Sequence, residues 1–183
     1  GFSPAYACEN ADGIRQDWPR IPLPADRDVL LASAELGREI AALLDVDRPL
    51  PGVTIGKISP ELRPVGMMFR VVGGSIDPDA GELAMTVGWG YPGKGGVTMP
   101  GKGRIESHPI EGSATEPACD LYLNEVAYWA NVPRSVWEFT IGGYQVIKKW
   151  LSYREKTVLG RDLLVDEAVY VTDLIRRLAA LVA

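Results

Sequence analysis

Soft metal ligands are scarce in this chain: 183 residues hold two cysteines and one histidine. Cys8 and Cys119 are too few for a disulfide framework and too isolated for a metal site, and a zinc site built around His108 alone would need an unusual ligand set. No apolar run approaches the roughly 20 residues that cross a bilayer. The start of the chain, GFSPAYACENADG, has no basic-then-apolar leader pattern, which together with the cysteine usage sets a reducing, cytoplasmic environment as the expectation. Gly1 rather than Met at the start points to a piece of a longer protein. Internal repeats and low-complexity tracts are missing. So are HExxH and the Gly-x-Ser-x-Gly elbow, and His108 has no Cys or Ser beside it that would read as a nucleophile–base pair, so it reads as a surface histidine. Positive charge is short as well: the net charge is −5 and the pI about 5.0, a point against nucleic-acid binding, which expects a basic footprint.

What is present is enough for one globular domain with a sizeable core: 46% of residues are hydrophobic and the mean hydropathy is neutral. The charge is also uneven. Residues 1–50 are rich in Asp and Glu, whereas residues 134–161 carry Arg134, Lys148, Lys149, Arg154, Lys156 and Arg161 against only Glu138 and Glu155. An acidic first quarter and a basic late segment suit one face toward DNA and another toward a partner domain.

The late segment organises the chain. In VPRSVWEFTIGGYQVIKKWLSYRE (132–155), Pro133 suits a first helical turn, SVWEF reads as a short helical turn, and Thr140 and Ile141 look extended. Gly142 and Gly143 supply a tight reversal. A helix is expected from about Tyr144, with Val146, Ile147, Trp150 and Leu151 on one face and Lys148 and Lys149 on the other. Two readings stay open. In one, Trp137, Tyr144 and Trp150 are core and the lysines an ordinary solvated face, which is the commoner case. In the other, a helix N-terminus opened by Gly142 and Gly143 offers bare N–H groups to a phosphate, with Lys148, Lys149 and Arg154 beside it.

Residues 121–155 are similar to the C-terminal target-recognition (specificity) domain of type ISP restriction–modification enzymes and related fused N6-adenine methyltransferases. The resemblance is carried by Leu121 to Asn124, Tyr128 and Trp129, Val132 and Pro133, Trp137, Ile141 to Val146, Lys149 to Leu151, and Arg154; Trp18 to Pro24 (WPRIPLP) adds a weaker upstream match. The resemblance implies a compact α/β recognition domain that is not itself catalytic. It implies a parent that uses AdoMet to methylate adenine N6 in double-stranded DNA, with an ATP- and Mg-dependent motor and nuclease, and an N-terminal methyltransferase domain as partner. The methyltransferase's Asn/Asp-Pro-Pro-Tyr motif is not in this chain.

Elsewhere the prolines of residues 1–24 predict an extended arm, residues 25–160 a core and residues 161–183 a C-terminal helix, together one domain. Asp26 should cap a helix to about Asp45, with Leu30, Leu36, Ile40 and Leu44 at helical spacing. Thr54 to Ile58 reads as a short strand. Val65 to Val72 reads as a central strand because both faces are apolar, and Glu82 to Val87 as a further apolar segment. Gly103 to Glu106 and Leu121 to Asn124 are expected strands, and Asp166 to Ala183 an amphipathic helix with a stripe of Val171, Leu174, Ile175, Leu178 and Val182. The class is α+β, with a mostly antiparallel central sheet and helices before and after it.

Between Gly88 and Arg104 lies a Gly/Pro-rich loop. Residues 88–94 and 96–102 both spell GxxxxGK, but each continues into Gly rather than Ser or Thr, holds a proline and leads into no helix, which excludes a phosphate loop. One reading is a flexible turn. The other is a mobile binding loop with Trp89, Tyr91, Lys94, Lys102 and Arg104 available to DNA, lysines on phosphates and arginine on base edges. The alternative to DNA recognition is a protein-interaction module, which the low pI favours.

Overall fold

The computed structural model describes residues 8–16, 23–109 and 117–183. The chain separates into two compact units, residues 1–41 and 42–183. The described residues of the first unit are mostly helical. A short helix α1 (Ala11–Gln16) precedes α2 (Arg27–Leu44), whose last turn runs into the second unit. Asp26 Oδ1 accepts the backbone N–H groups of Asp28 and Val29 (2.8 and 3.0 Å), the N-cap expected from the sequence. No residue of α2 is buried; Val29, Leu31 and Leu36 are each more than half exposed. Most of the proline-rich arm, Trp18 to Pro24, lies outside the described residues.

The second unit is built on a four-stranded antiparallel sheet in the order β1 (Met67–Arg70), β6 (Ala127–Pro133), β5 (Pro117–Tyr122), β4 (Ile105–Pro109). Two small hairpins lie outside it: β2 (Gly90–Pro92) with β3 (Thr98–Pro100), and β7 (Thr140–Ile141) with β8 (Tyr144–Gln145). Four helices follow β6: α3 (Arg134–Trp137), α4 (Val146–Ser152), α5 (Lys156–Leu159) and the long α6 (Val165–Val182). The architecture is α+β, as the sequence pattern implies.

The core lies between the sheet and α4 and α6. Trp129, Leu121, Val132, Ile147, Leu151, Val171 and Ile175 are all at most 1% exposed. Burying each aliphatic side chain of this kind contributes about 1.5–3 kcal/mol. Trp129 Nε1 donates to Ala168 O on α6, and Thr172 Oγ1 donates to Gly66 O (2.7 Å). A Cβ at Gly66, whose φ is +66°, would lie 2.9 Å from Ile175, so glycine lets the chain before β1 lie directly against α6. Arg177, also buried, donates to the carbonyls of Ala42, Leu43, Asp45 and Arg48 and so closes the C-terminus of α2.

Several sequence expectations need correction. Val65 to Val72 contains the strand Met67–Arg70, but it is an edge strand: Met67 and Phe69 face solvent and account for the apolar second face. Thr54 to Ile58 forms turns with a single bridge, Pro51 to Ile55. Glu82 to Val87 is irregular, yet Leu83 and Met85 are buried. That segment is held by Asn124, whose amide donates to Glu82 O and Ala84 O while its Oδ1 accepts Val126 N–H and Ala127 N–H. Pro133 ends β6 and precedes α3 in extended backbone (ψ 144°) rather than opening the helix.

A bulge lies between β5 and β6. Cys119 pairs with Val132 but Leu121 with Trp129, so β6 carries an extra residue there. Asn131 takes a φ of 56°, and its N–H is accepted by Asp120 Oδ1 (3.0 Å). The same oxygen accepts from His108 Nε2 (3.0 Å), while His108 Nδ1 donates to Pro109 O (3.0 Å). His108 is therefore half-buried and paired rather than free on the surface. Both partners are acceptors, so the backbone carbonyl first and the carboxylate second raise the imidazole pKa above 6.5. The stabilisation is complete below the unfolded value and is lost as pH rises through the folded one. The gap in urea midpoint between wild type and His108→Gln is expected to be larger at about pH 5.5 than at about pH 8.5; an equal gap at both would exclude the charged pair.

Candidate nucleic-acid interface

Gly142 and Gly143 form the two-residue turn of the β7–β8 hairpin, with φ of 59° and 81°. Positive φ at both central positions is the requirement of a turn that matches strand twist, and glycine meets it without strain. They do not open a helix N-terminus. Helix α4 begins at Val146 and has seven residues, and the Val146 N–H is already taken by Phe139 O (3.1 Å). The helix buries Ile147, Leu151 and Ser152, which leaves Lys148 and Lys149 toward solvent. Tyr144 is exposed, and Lys149 Nζ sits 3.7 Å above its ring centroid. Among the described residues no carboxylate lies within 4 Å of the Lys148 or Lys149 ammonium.

The β2–β3 hairpin lies against this helix. A Cβ at Gly90 would come 2.0 Å from Ser152 O, so a side chain there would force the two elements apart. The base of the hairpin is held by the buried carboxylate of Glu155, which accepts Gly88 N–H (3.1 Å) and Trp89 N–H (2.8 Å). Trp89 Nε1 donates to Tyr122 O (2.8 Å), and its ring tilts against Trp137 at 5.6 Å between centroids.

These contacts redistribute the residues that the sequence singles out. Trp89 is fully buried and anchors the loop; it is not available to DNA. Arg104 is paired to Glu106 and Glu125 at 2.7 Å each and stacks on Tyr122, so its charge is spent on the sheet. Arg154 stacks on Trp150 and faces Glu167 at 3.4 Å. Glu167 is held down to about 2, chiefly by hydrogen bonds from Arg161. Tyr91, Lys94 and Lys102 are exposed on or beside the β2–β3 hairpin. Gly143, Lys148 and Lys149 share a cleft of about 420 Å3 with Val97, Thr98 and Pro100 of that hairpin. The Gly/Pro-rich loop and the basic helix, well separated in sequence, are thus neighbours in space. Sequence reasoning missed Tyr153, and one of its two open readings gave Tyr144 to the core. The available signal was their spacing, one tyrosine on each side of the Lys148–Lys149 pair.

Among the described residues no group of three or more His, Cys, Asp or Glu side chains is placed to hold a metal ion, and no helix is long and apolar enough to cross a membrane. The fold and this face define an α+β domain with a cleft lined by Lys148, Lys149, Tyr144 and Tyr153. The chain belongs to the Type ISP C-terminal specificity domain family, whose pattern matches residues 2–176. No curated protein and no solved structure matches it. Membership assigns the domain to target recognition in restriction–modification, with DNA binding and fusion to other domains.

Replacing Glu155 by Ala leaves a buried Trp89 N–H without a partner. An unsatisfied donor of this kind costs about 1–3 kcal/mol, so Glu155→Ala is expected to lower the urea unfolding midpoint, with Glu155→Gln recovering part of the loss. An unchanged midpoint for both would show that the carboxylate does not hold the hairpin.

Proposed function

We propose that this domain selects the DNA sequence on which a restriction–modification enzyme acts, and that duplex DNA lies along the face shared by the β2–β3 hairpin, the β7–β8 turn and α4. The observation that carries this reading is the meeting of two lysines, which face no carboxylate among the described residues, with a glycine turn and a second hairpin along one cleft. Lys148 and Lys149 contact phosphates. Gly142 and Gly143 let backbone approach closely, and Tyr91, Lys94 and Lys102 extend the surface from the other hairpin. The net charge of −5 is compatible with this, because no carboxylate among the described residues lines the cleft and those that follow α4 in sequence are engaged: Glu155 holds Gly88 and Trp89, Glu167 pairs with Arg161, and Asp162 with Lys156. In the parent enzyme the chosen site would be methylated at adenine N6 from AdoMet, by an N-terminal methyltransferase domain. Unmodified DNA would be cleaved with ATP and Mg by further domains.

A second reading, a module that docks a partner protein, is favoured by α2, whose Val29, Leu30, Leu31, Leu36 and Ile40 are exposed. The two are separated by salt. Duplex affinity limited by phosphate contacts falls linearly in log–log form with salt, with a slope of about −0.9 per phosphate neutralised. Lys148→Glu with Lys149→Glu is expected to weaken binding to any duplex sequence and to reduce that slope by about 1–2. Unchanged affinity in a folded double variant would remove these lysines from the interface.

A further inference from the structure

The basic cleft has a neighbour. A second cleft of about 400 Å3 lies between α4 and α6, floored by Val146, Trp150, Tyr170 and Leu174. The two clefts share Tyr144, Lys149 and Tyr153 and differ in their other walls, so these three side chains form the partition between them. Tyr144 and Tyr153 remain 61% and 44% exposed, which leaves ring surface for another planar group. In the second cleft Trp150 stacks on Tyr170 at 5.5 Å and 24°, with the Arg154 guanidinium 4.6 Å from the indole centroid. Each volume lies in the range of about 300–1,000 Å3 that encloses small organic ligands.

The ligand chemistry follows from these groups. Aromatic walls select a planar π system, and Lys148 and Lys149 select an anion attached to it. A nucleotide supplies both. A base inside a regular duplex has its faces covered by its neighbours, whereas an unstacked base is free to lie on an aromatic ring, whatever its identity. We propose that the Tyr144–Lys149–Tyr153 partition takes unstacked bases of a DNA strand, one on each side, so that the domain binds single-stranded or locally opened DNA at this face. This rests on the reading above that the face meets nucleic acid.

The test is fluorescence anisotropy on the full chain with two labelled probes at one salt concentration: an oligothymidylate of about 12 nucleotides, within the site sizes known for strand-tracking grooves, and a duplex of the same length. Stacking is worth about 1–3 kcal/mol per base, a fold-change of about 5 to 150. Tyr144→Ala is expected to weaken oligothymidylate binding by a factor in that range, with duplex binding less affected. Tyr144→Phe keeps the ring and should restore the affinity. Circular dichroism confirms that both variants fold, and Tyr153→Ala tests the same partition from its other side. If the wild-type chain binds the duplex but not the oligothymidylate, or if both alanine variants bind it like wild type, this proposal fails and the duplex reading stands. If neither probe binds, the proposed function fails too.

Discussion

One buried carboxylate holds the candidate interface together. Glu155 follows α4 and precedes α5, and it accepts two backbone N–H groups from the start of the β2–β3 hairpin. Those bonds act with the burial of Trp89 and its bond to Tyr122 O to bring a Gly/Pro-rich segment against a helix. With them, Gly90 packs on the Ser152 carbonyl, Trp89 enters the core, and the tip of the hairpin stands beside Lys148 and Lys149. A buried acidic group is costly unless its oxygens are satisfied, and here both oxygens have donors.

The sheet serves as a frame for this assembly. Its bulge at Asn131, bonded to Asp120, lets Trp129 and Val132 both reach the core although they are three residues apart. Asn124, at the turn between β5 and β6, bonds an irregular segment that carries Leu83 and Met85 into the core. Much of the sequence signature from Leu121 to Arg154 is thereby accounted for by packing. Trp129, Trp137, Ile147 and Leu151 are buried and Trp150 is stacked, whereas Tyr144, Lys148 and Lys149 face outward.

What the sequence made legible followed from periodicity. Helices α2 and α6 are long, and their apolar spacing repeats over several turns, so both were readable nearly to their ends. Strand β6 was not readable, because its bulge breaks the two-residue alternation and a proline ends it. Strand β1 looked central because exposed Met67 and Phe69 mimic a second buried face. At the candidate interface, Lys148 and Lys149 were legible from the amphipathic pattern of α4. The burial of Trp89 and the pairing of Arg104 were not, since Trp89 is held by Glu155, 66 residues away, and Arg104 pairs with Glu125, 21 residues away, as well as with the nearby Glu106. Of the two readings of Gly142 and Gly143, the open helix N-terminus fails, because those residues form the tight reversal of a hairpin and Phe139 O occupies the first helical N–H.

The central claim is that DNA lies on the hairpin–α4 face rather than on the sheet or on α2. Hydrogen–deuterium exchange of the full chain with and without duplex DNA tests it most directly. The account expects slowed exchange in residues 90–100 and 140–153 on adding DNA, with the amides of β4 and α2 unchanged. Slowed exchange confined to β4 or α2, or none anywhere at saturating DNA, would contradict it.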